Sequence, residues 1–156
     1  MNTRQRHEPL NTFSQVNTVL DDSAPIQGRI TFQQSPKRQI EMIQSLRQQG
    51  HKSQWAVPML IEMLDDKSDQ VRAQAISALA FVEKNPELVV PVFIVSLNDP
   101  SLCVRQYCTA ALGLFSTDDL IKYDALSALE QALIEDDDAL WEFGGPLVKS
   151  IKLKSL

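Results

Sequence analysis

The chain has 156 residues, of which 44% are hydrophobic and 22% are charged, with 8 Pro, 5 Gly and 2 Cys. This composition indicates one ordinary globular domain and excludes a collagen, a disulfide-stapled mini-protein and a wholly disordered chain. Residues 1–55 hold seven Lys or Arg against four Asp or Glu, whereas residues 56–156 hold eight against sixteen, so an acidic body disfavours binding to nucleic acid.

Targeting and membrane signals are absent from the sequence. It contains no run of about 18 apolar residues, so we expect no membrane span. Its first residues carry charge without the apolar block of a signal peptide. Two cysteines in a chain without such a signal predict a reducing compartment, and we expect a cytoplasmic protein.

Residues 1–35 are rich in Gln, Asn, Ser and Thr and predict a flexible or extended arm. Four apolar residues within it have the spacing of one face of a short helix, which would either fold on a partner or pack on the body of the protein. These residues are Leu10, Phe13, Val16 and Leu20.

A degenerate N-terminal helix is predicted over residues 36–50, as half of an incomplete repeat. Ser35 and Pro36 give a start signal and Gly50 gives a stop signal. Three apolar residues share one side of this helix, namely Ile40, Ile43 and Leu46.

The rest of the chain repeats itself at a regular interval. Residues 57–82 and 90–115 are identical at ten of 26 aligned positions, and a weaker third copy follows at a slightly larger shift. Each copy predicts two helices, A and B, and the repeats span about 54–82, 86–115 and 117–153. Stacked helix pairs cover each other's apolar faces, so the period predicts an all-α solenoid. The first helix B should bury Val71, Ala75, Ala78, Leu79 and Val82.

Helix starts are marked in both strong copies. Asn85 followed by Pro86 predicts the start of the second helix A, since Asn caps helices and Pro favours the first helical position. Either Asp66 or Ser68 is suited to cap the first helix B. Asp99 followed by Pro100 predicts the start of the second helix B.

The repeat carries a recognisable pattern. The residues from Pro58 to Leu79 and from Pro91 to Leu112 read P-x-x-I-x-x-L-x-D-x-S-x-x-V-R-x-x-A-x-x-A-L. This pattern resembles HEAT repeats, and within them the short type found in phycobilisome lyase subunits. The resemblance implies a right-handed superhelix of three to four hairpins, with A helices on the convex side and B helices on the concave side. It also implies a structural ladder between neighbouring repeats, formed by Asp66, Arg72, Asp99 and Arg105.

The third copy departs from this pattern. Trp141 occupies the position of the ladder arginine, and Gly144, Gly145 and Pro146 predict a break in the last helix. We therefore expect a terminal capping repeat. The basic amphipathic tail over 147–156 would dock on the preceding repeat or contact a partner or a membrane surface.

Catalytic and metal-binding patterns are missing. His7 and His51 are isolated; His7–Glu8 is a lone pair outside the repeats and does not support an iron hydroxylase of the HEAT type. Cys103 and Cys108 form no C-x-x-C unit and are interpreted as incidental or buried thiols. The acidic run over 135–138 lacks the alternating ligands and the glycine of a calcium loop. We expect no catalytic residue, no cofactor and no metal.

Surface residues are the remaining candidates for function. If B helices line a groove, aromatic and apolar side chains there would mark a binding patch. The other interpretation is that they pack between repeats or under the arm. The candidates are Gln74, Phe81, Tyr107, Leu114, Trp141 and Phe143.

The sequence thus favours a non-enzymatic protein-protein interaction module, such as an adaptor, scaffold, assembly factor or chaperone-like subunit. It would bind a protein partner through its concave face or its arms. Three repeats are near the lower limit for a solenoid, which leaves homo- or hetero-oligomers open. The alternative is a bilin lyase-type subunit acting on phycobiliproteins. A DNA-binding HEAT-like protein ranks last because of the acidic body.

Overall fold

The computed structural model describes residues 35–135 and 137–156, except for the side chains of residues 135, 137–139 and 143. Every regular element within these ranges is helical, which confirms the predicted all-α class. Two short 3-10 helices, Gly50–Ala56 and Met63–Asp65, flank α2. The α-helices are α1 (Pro36–Gln49), α2 (Val57–Glu62), α3 (Asp69–Val82), α4 (Pro86–Ser96), α5 (Leu102–Leu112), α6 (Thr117–Lys122), α7 (Ala125–Glu135) and α8 (Asp137–Lys154).

The described helices form two layers. Helix α3 packs between α1 and α5, and α8 packs on the other side of α5, so these four helices make the B layer. The A layer contains α2, α4 and α7, and α4 packs on both α5 and α7. Helices α1 and α3 both have 14 residues, and their first and last residues are one repeat period apart. Helix α1 therefore occupies the place of a B helix before α3.

One continuous core joins the repeats. The predicted buried stripe of α3 is confirmed, because Val71, Ala75, Ala78, Leu79 and Val82 are all fully buried. The same hydrophobic cluster extends from α1 to α8. Since each hairpin contributes to a core shared with its neighbours, the stacking argument made from the period holds in the structure.

The ends of the first helices follow the predicted signals in most places. Gly50 ends α1 with a φ of +55°, a conformation that suits glycine. The Oδ1 atom of Asn85 accepts a hydrogen bond from the Glu87 amide at 3.0 Å, and Pro86 is the first residue of α4. Ser68 is the residue that precedes α3, but its side chain makes no capping hydrogen bond, so the prediction holds there for the position alone.

The predicted start of α5 at Asp99 and Pro100 is wrong. Helix α5 begins at Leu102, after Ser101. The Asp99 carboxylate accepts a hydrogen bond from the Ser101 amide at 2.8 Å, and Asp66 accepts one from the Ser68 amide at the same distance. An aspartate whose side chain accepts a hydrogen bond from the amide two residues later closes a turn. In both repeats this aspartate therefore belongs to the turn before the helix and not to the helix itself.

The predicted break in the last helix is also wrong, because α8 continues through Gly144, Gly145 and Pro146. A Cβ atom on Gly144 would lie 2.9 Å from the Cδ2 atom of Leu133 and 3.2 Å from the Cγ2 atom of Thr109. The missing side chain therefore lets α8 approach α7 and α5 closely. Packing of this kind outweighs the low helix propensity of glycine.

Candidate functional site

The ladder residues meet at the turns between the layers. Arg72 on α3 donates to Asp99 of the following repeat from Nε and from Nη2, both at 2.8 Å. Its Nη1 atom also donates to the carbonyl oxygen of Asp66 at 2.8 Å. The side chains of Arg72 and Asp99 are only 13% and 11% exposed. Arg72 thus links the turn before α3 to the turn before α5.

Electrostatics at this contact favour the charged forms of both groups. Burial alone would raise the pKa of Asp99, but the hydrogen bond from Arg72 and the one from the Ser101 amide hold it below its usual value. The hydrogen bond to Asp99 raises the pKa of Arg72 against the opposing effect of burial. Arg105 repeats part of this arrangement, since its Nη1 atom donates to the carbonyl oxygen of Asp99 at 2.5 Å.

Gln39 extends the ladder to α1, although sequence reasoning missed it. It lies one repeat period before Arg72 and is buried. Its Nε2 atom donates to the Oδ2 atom of Asp66 at 3.0 Å, over the same span of 27 residues that separates Arg72 from Asp99. The signal was present in the sequence, because one further step of the repeat back from Arg72 reaches Gln39.

Four of the predicted partner-binding residues lie on or directly after α3 and α5. The Nε2 atom of Gln74 donates to the hydroxyl oxygen of Tyr107 at 3.3 Å, so positions one repeat apart are neighbours in the B layer. Phe81 and Leu114 are also one repeat apart, and they are 40% and 55% exposed. Gln74 and Tyr107 are half-buried and in contact with each other.

Trp141 stands on α8 and is 49% exposed. A Cβ atom on Gly145 would lie 2.8 Å from the Cε3 atom of Trp141, so the indole lies directly on the backbone of its own helix. Among the described side chains, no hydrogen bond or ring contact joins Trp141 to the other candidates. The side chain of Phe143 lies outside the described residues.

Phe81 has cationic neighbours that the sequence analysis missed. The Cζ atom of Arg47 lies 4.6 Å from the centre of the Phe81 ring, and the Nζ atom of Lys84 lies 5.4 Å from it. Gln44, Gln48 and Arg47 line an open depression of about 370 Å³ together with Phe81. Gln48 lies one repeat period before Phe81 in the sequence, and this spacing was the signal that could have placed the two residues side by side.

A second exposed apolar surface lies on the A layer. Leu88 and Val95 are separated by two turns of α4 and are 52% and 72% exposed. Trp55, one repeat before Leu88, is also largely exposed. Sequence reasoning missed this surface, although the unbroken apolar run of α4 was a signal for it.

Metal-binding groups are not assembled in the described part of the chain. Its Asp, Glu, His and Cys residues form no group of three or more that would hold a metal ion. Cys108 is buried, and burial raises the pKa of its thiol, whereas Cys103 is exposed. His7, the apolar residues of the predicted arm and the side chains of the acidic run lie outside the described residues. Among the described helices, none combines the length and the apolar character needed to cross a membrane.

Comparison with known proteins identifies one family. The family model for HEAT repeats matches residues 57–142, more than half of the chain. No curated protein and no solved structure matches the chain. The matched segment contains helices α2 to α7 and the start of α8.

Proposed function

The chain belongs to the HEAT-repeat family, whose repeats generally serve as protein-interaction modules, and we propose that it is a non-enzymatic module that binds a protein partner through its B layer. The observation that carries this proposal is the exposure of Phe81 and Leu114 at equivalent positions of adjacent repeats. Large apolar side chains that recur along one face are typical of interaction sites.

The hydrogen bonding of the ladder supports a division between residues that join the repeats and residues that bind a partner. Arg72 and Asp99 direct their charged groups at each other and at backbone atoms of the turns. Because these groups are already paired, they serve the stacking of the repeats. Phe81 and Leu114 are apolar and are 40% and 55% exposed to solvent.

The finer roles of adaptor, scaffold or assembly factor also belong to this proposal. A cytoplasmic setting is part of it as well. It is supported by two free cysteines, one of them exposed, because thiols persist in reducing compartments.

Affinity purification of the full chain from its native cells, after mild crosslinking, tests the proposal. We expect mass spectrometry to identify a protein partner with the unaltered chain. Leu114→Asp should abolish its recovery, because a charge on the apolar surface must be desolvated at the interface. Tyr107→Ala should reduce recovery less, since Tyr107 is half-buried.

Val95→Asp provides the matched control. It makes the same change from an exposed apolar residue to aspartate, but on α4 of the A layer. Recovery of the partner should survive this substitution. Failure to recover any partner, or a loss of recovery with Val95→Asp alone, would contradict the proposal that the B layer binds.

A further inference from the structure

The depression beside Phe81 has a defined position in the B layer. It is formed by the C-terminal half of α1 and the last turn of α3, and Phe81 lines it together with Gln44, Arg47 and Gln48. The two glutamine amides make no hydrogen bond with any described residue. They are therefore available to bind a ligand through both N–H donors and carbonyl acceptors.

Two cations lie against the Phe81 ring, Arg47 as part of the lining of the depression and Lys84 outside that lining, and neither has a carboxylate partner within the described residues. Arg47 and Lys84 both lie against the Phe81 ring, and the ammonium group of Lys84 also donates to the carbonyl oxygen of Ala80 at 2.8 Å. Aromatic contact attracts a cation but leaves its charge uncompensated. A carboxylate that enters the depression would therefore find the uncompensated guanidinium of Arg47 beside an apolar surface.

The nearest carboxylate in the sequence is already bonded elsewhere. Glu83 precedes Lys84 but is buried. Its Oε2 atom accepts from the Nε2 atom of Gln54 at 2.9 Å, and its Oε1 atom accepts from the Asn85 amide at 2.8 Å. Burial opposes ionisation of Glu83, but these hydrogen bonds outweigh it and lower its pKa. Glu83 thus stabilises the chain between α3 and α4 and does not neutralise Arg47.

We propose that this depression binds an acidic peptide segment of a partner protein, with a carboxylate on Arg47 and a neighbouring apolar side chain on Phe81. The inference rests on the proposed function and names the chemistry of the partner. Glutamine side chains at the rim suit a peptide, because they can bond its backbone amides and carbonyls.

Charge distribution favours a short acidic segment over a polyanion. Residues 35–55 hold four Lys or Arg and one Glu, whereas residues 56–156 hold eight Lys or Arg against sixteen Asp or Glu. A nucleic acid that reached the depression would meet the acidic remainder of the chain. A segment with one or two carboxylates needs to contact only Arg47 and its neighbours on α1, where complementary charge accelerates association and fixes orientation.

Selection from a random peptide library displayed on phage, with the full chain as bait, tests the proposal. We expect the selected peptides to carry Asp or Glu next to a large apolar residue. The selected peptide, made with a fluorescent label, should lose at least about tenfold in affinity with Arg47→Glu, because a charge-assisted hydrogen bond is replaced by repulsion. Phe81→Ala should weaken binding through loss of the apolar contact.

Lys37→Glu is the matched control for charge. It changes the net charge by the same amount on the same helix, ten residues or about 15 Å from Arg47, and should leave affinity within about twofold. A melting curve for each variant establishes that it is folded. Selection of basic or neutral peptides, no selection at all, or equal effects of Lys37→Glu and Arg47→Glu would overturn the inference. If a protein partner is nevertheless captured and Leu114→Asp abolishes its recovery, the proposed function stands without this inference.

Discussion

Helix α5 is joined to its two neighbours in the B layer by different means. Towards α3, the contact includes a charged pair in which Arg72 binds the Asp99 turn. Towards α8, Gly144 brings the backbones together against Thr109. Close approach at a glycine is therefore a second means of joining neighbouring helices of the B layer.

The two junctions also differ in how they specify register. Arg72 makes directional hydrogen bonds to Asp99 and to a carbonyl of its own turn, so a shift of either helix would break several bonds together. Gly144 provides shape instead, because the space left by its missing side chain is filled by Leu133 and Thr109.

Of the changes that test these two junctions, removal of the charged contact should have the largest effect on the free energy of unfolding. We expect Arg72→Ala to lower the free energy of unfolding by about 3 kcal/mol, because Asp99 remains largely buried without its partner. Urea denaturation monitored by circular dichroism measures this change. Arg38→Ala, an exposed arginine of α1, is the control and should change stability by less than about 0.5 kcal/mol.

The pH dependence identifies the cause of the effect of Arg72→Ala. Because the folded-state pKa of Asp99 is lowered, its contribution is present above the unfolded pKa of about 3.9 and is lost as the pH falls through the folded value. The stability difference between the two proteins should therefore narrow below about pH 4. A difference that stayed constant down to the acid limit would argue against the ionised pair as its source.

The glycine contact should be the next most sensitive point. Gly144→Leu is expected to lower the free energy of unfolding by about 2 kcal/mol, because its side chain would overlap Leu133 and Thr109. Pro146→Ala in the same helix is the control, since Pro146 is exposed and an alanine there favours the helix. Thermal unfolding of the two variants compares them. A Gly144→Leu protein as stable as the unaltered chain would mean that close approach is not what holds α8.

The smallest expected effect comes from restoring the missing arginine at the other end. Gln39→Arg should raise the free energy of unfolding by up to about 1 kcal/mol, because a guanidinium can bond Asp66 with a full charge in place of an amide. The gain should decrease at high salt. A lower melting temperature at every salt concentration would show that position 39 cannot accommodate the ladder geometry.

Local signals explain what the sequence predicted correctly. The repeat period predicted the stacking, and Asn85 with Pro86 predicted the start of α4, since both signals lie within or between adjacent repeats. The role of Gln39 was missed, although the same period points to it. Finding it requires counting one repeat back from Arg72, into a segment that otherwise resembles the repeat only weakly. The prediction at Asp99 failed because a carboxylate can bond the amide two residues later as readily as cap a helix.

Features that depend on distant residues were not predictable in this way. The continuity of α8 rests on Gly144 meeting Leu133 and Thr109, which belong to two other helices, α7 and α5. The cations beside Phe81 include Arg47, which belongs to the preceding repeat. The low helix propensity of glycine predicts a break at Gly144, and local propensity gives no information about the neighbours of Phe81. Only the three-dimensional arrangement reveals these two features.

The ladder lies at one end of the B helices, and this placement has a mechanical consequence. Gln39 and Arg72 are each the fourth residue of their helix, and hydrogen bonds fix the N-terminal ends of α1, α3 and α5 to neighbouring turns. At the opposite ends, Phe81 contacts α1 through the stacked side chain of Arg47. Small tilts between α1 and α3 would pivot about the bonded ends and widen or narrow the spacing near Phe81, so a segment bound there would alter the angle between these two helices.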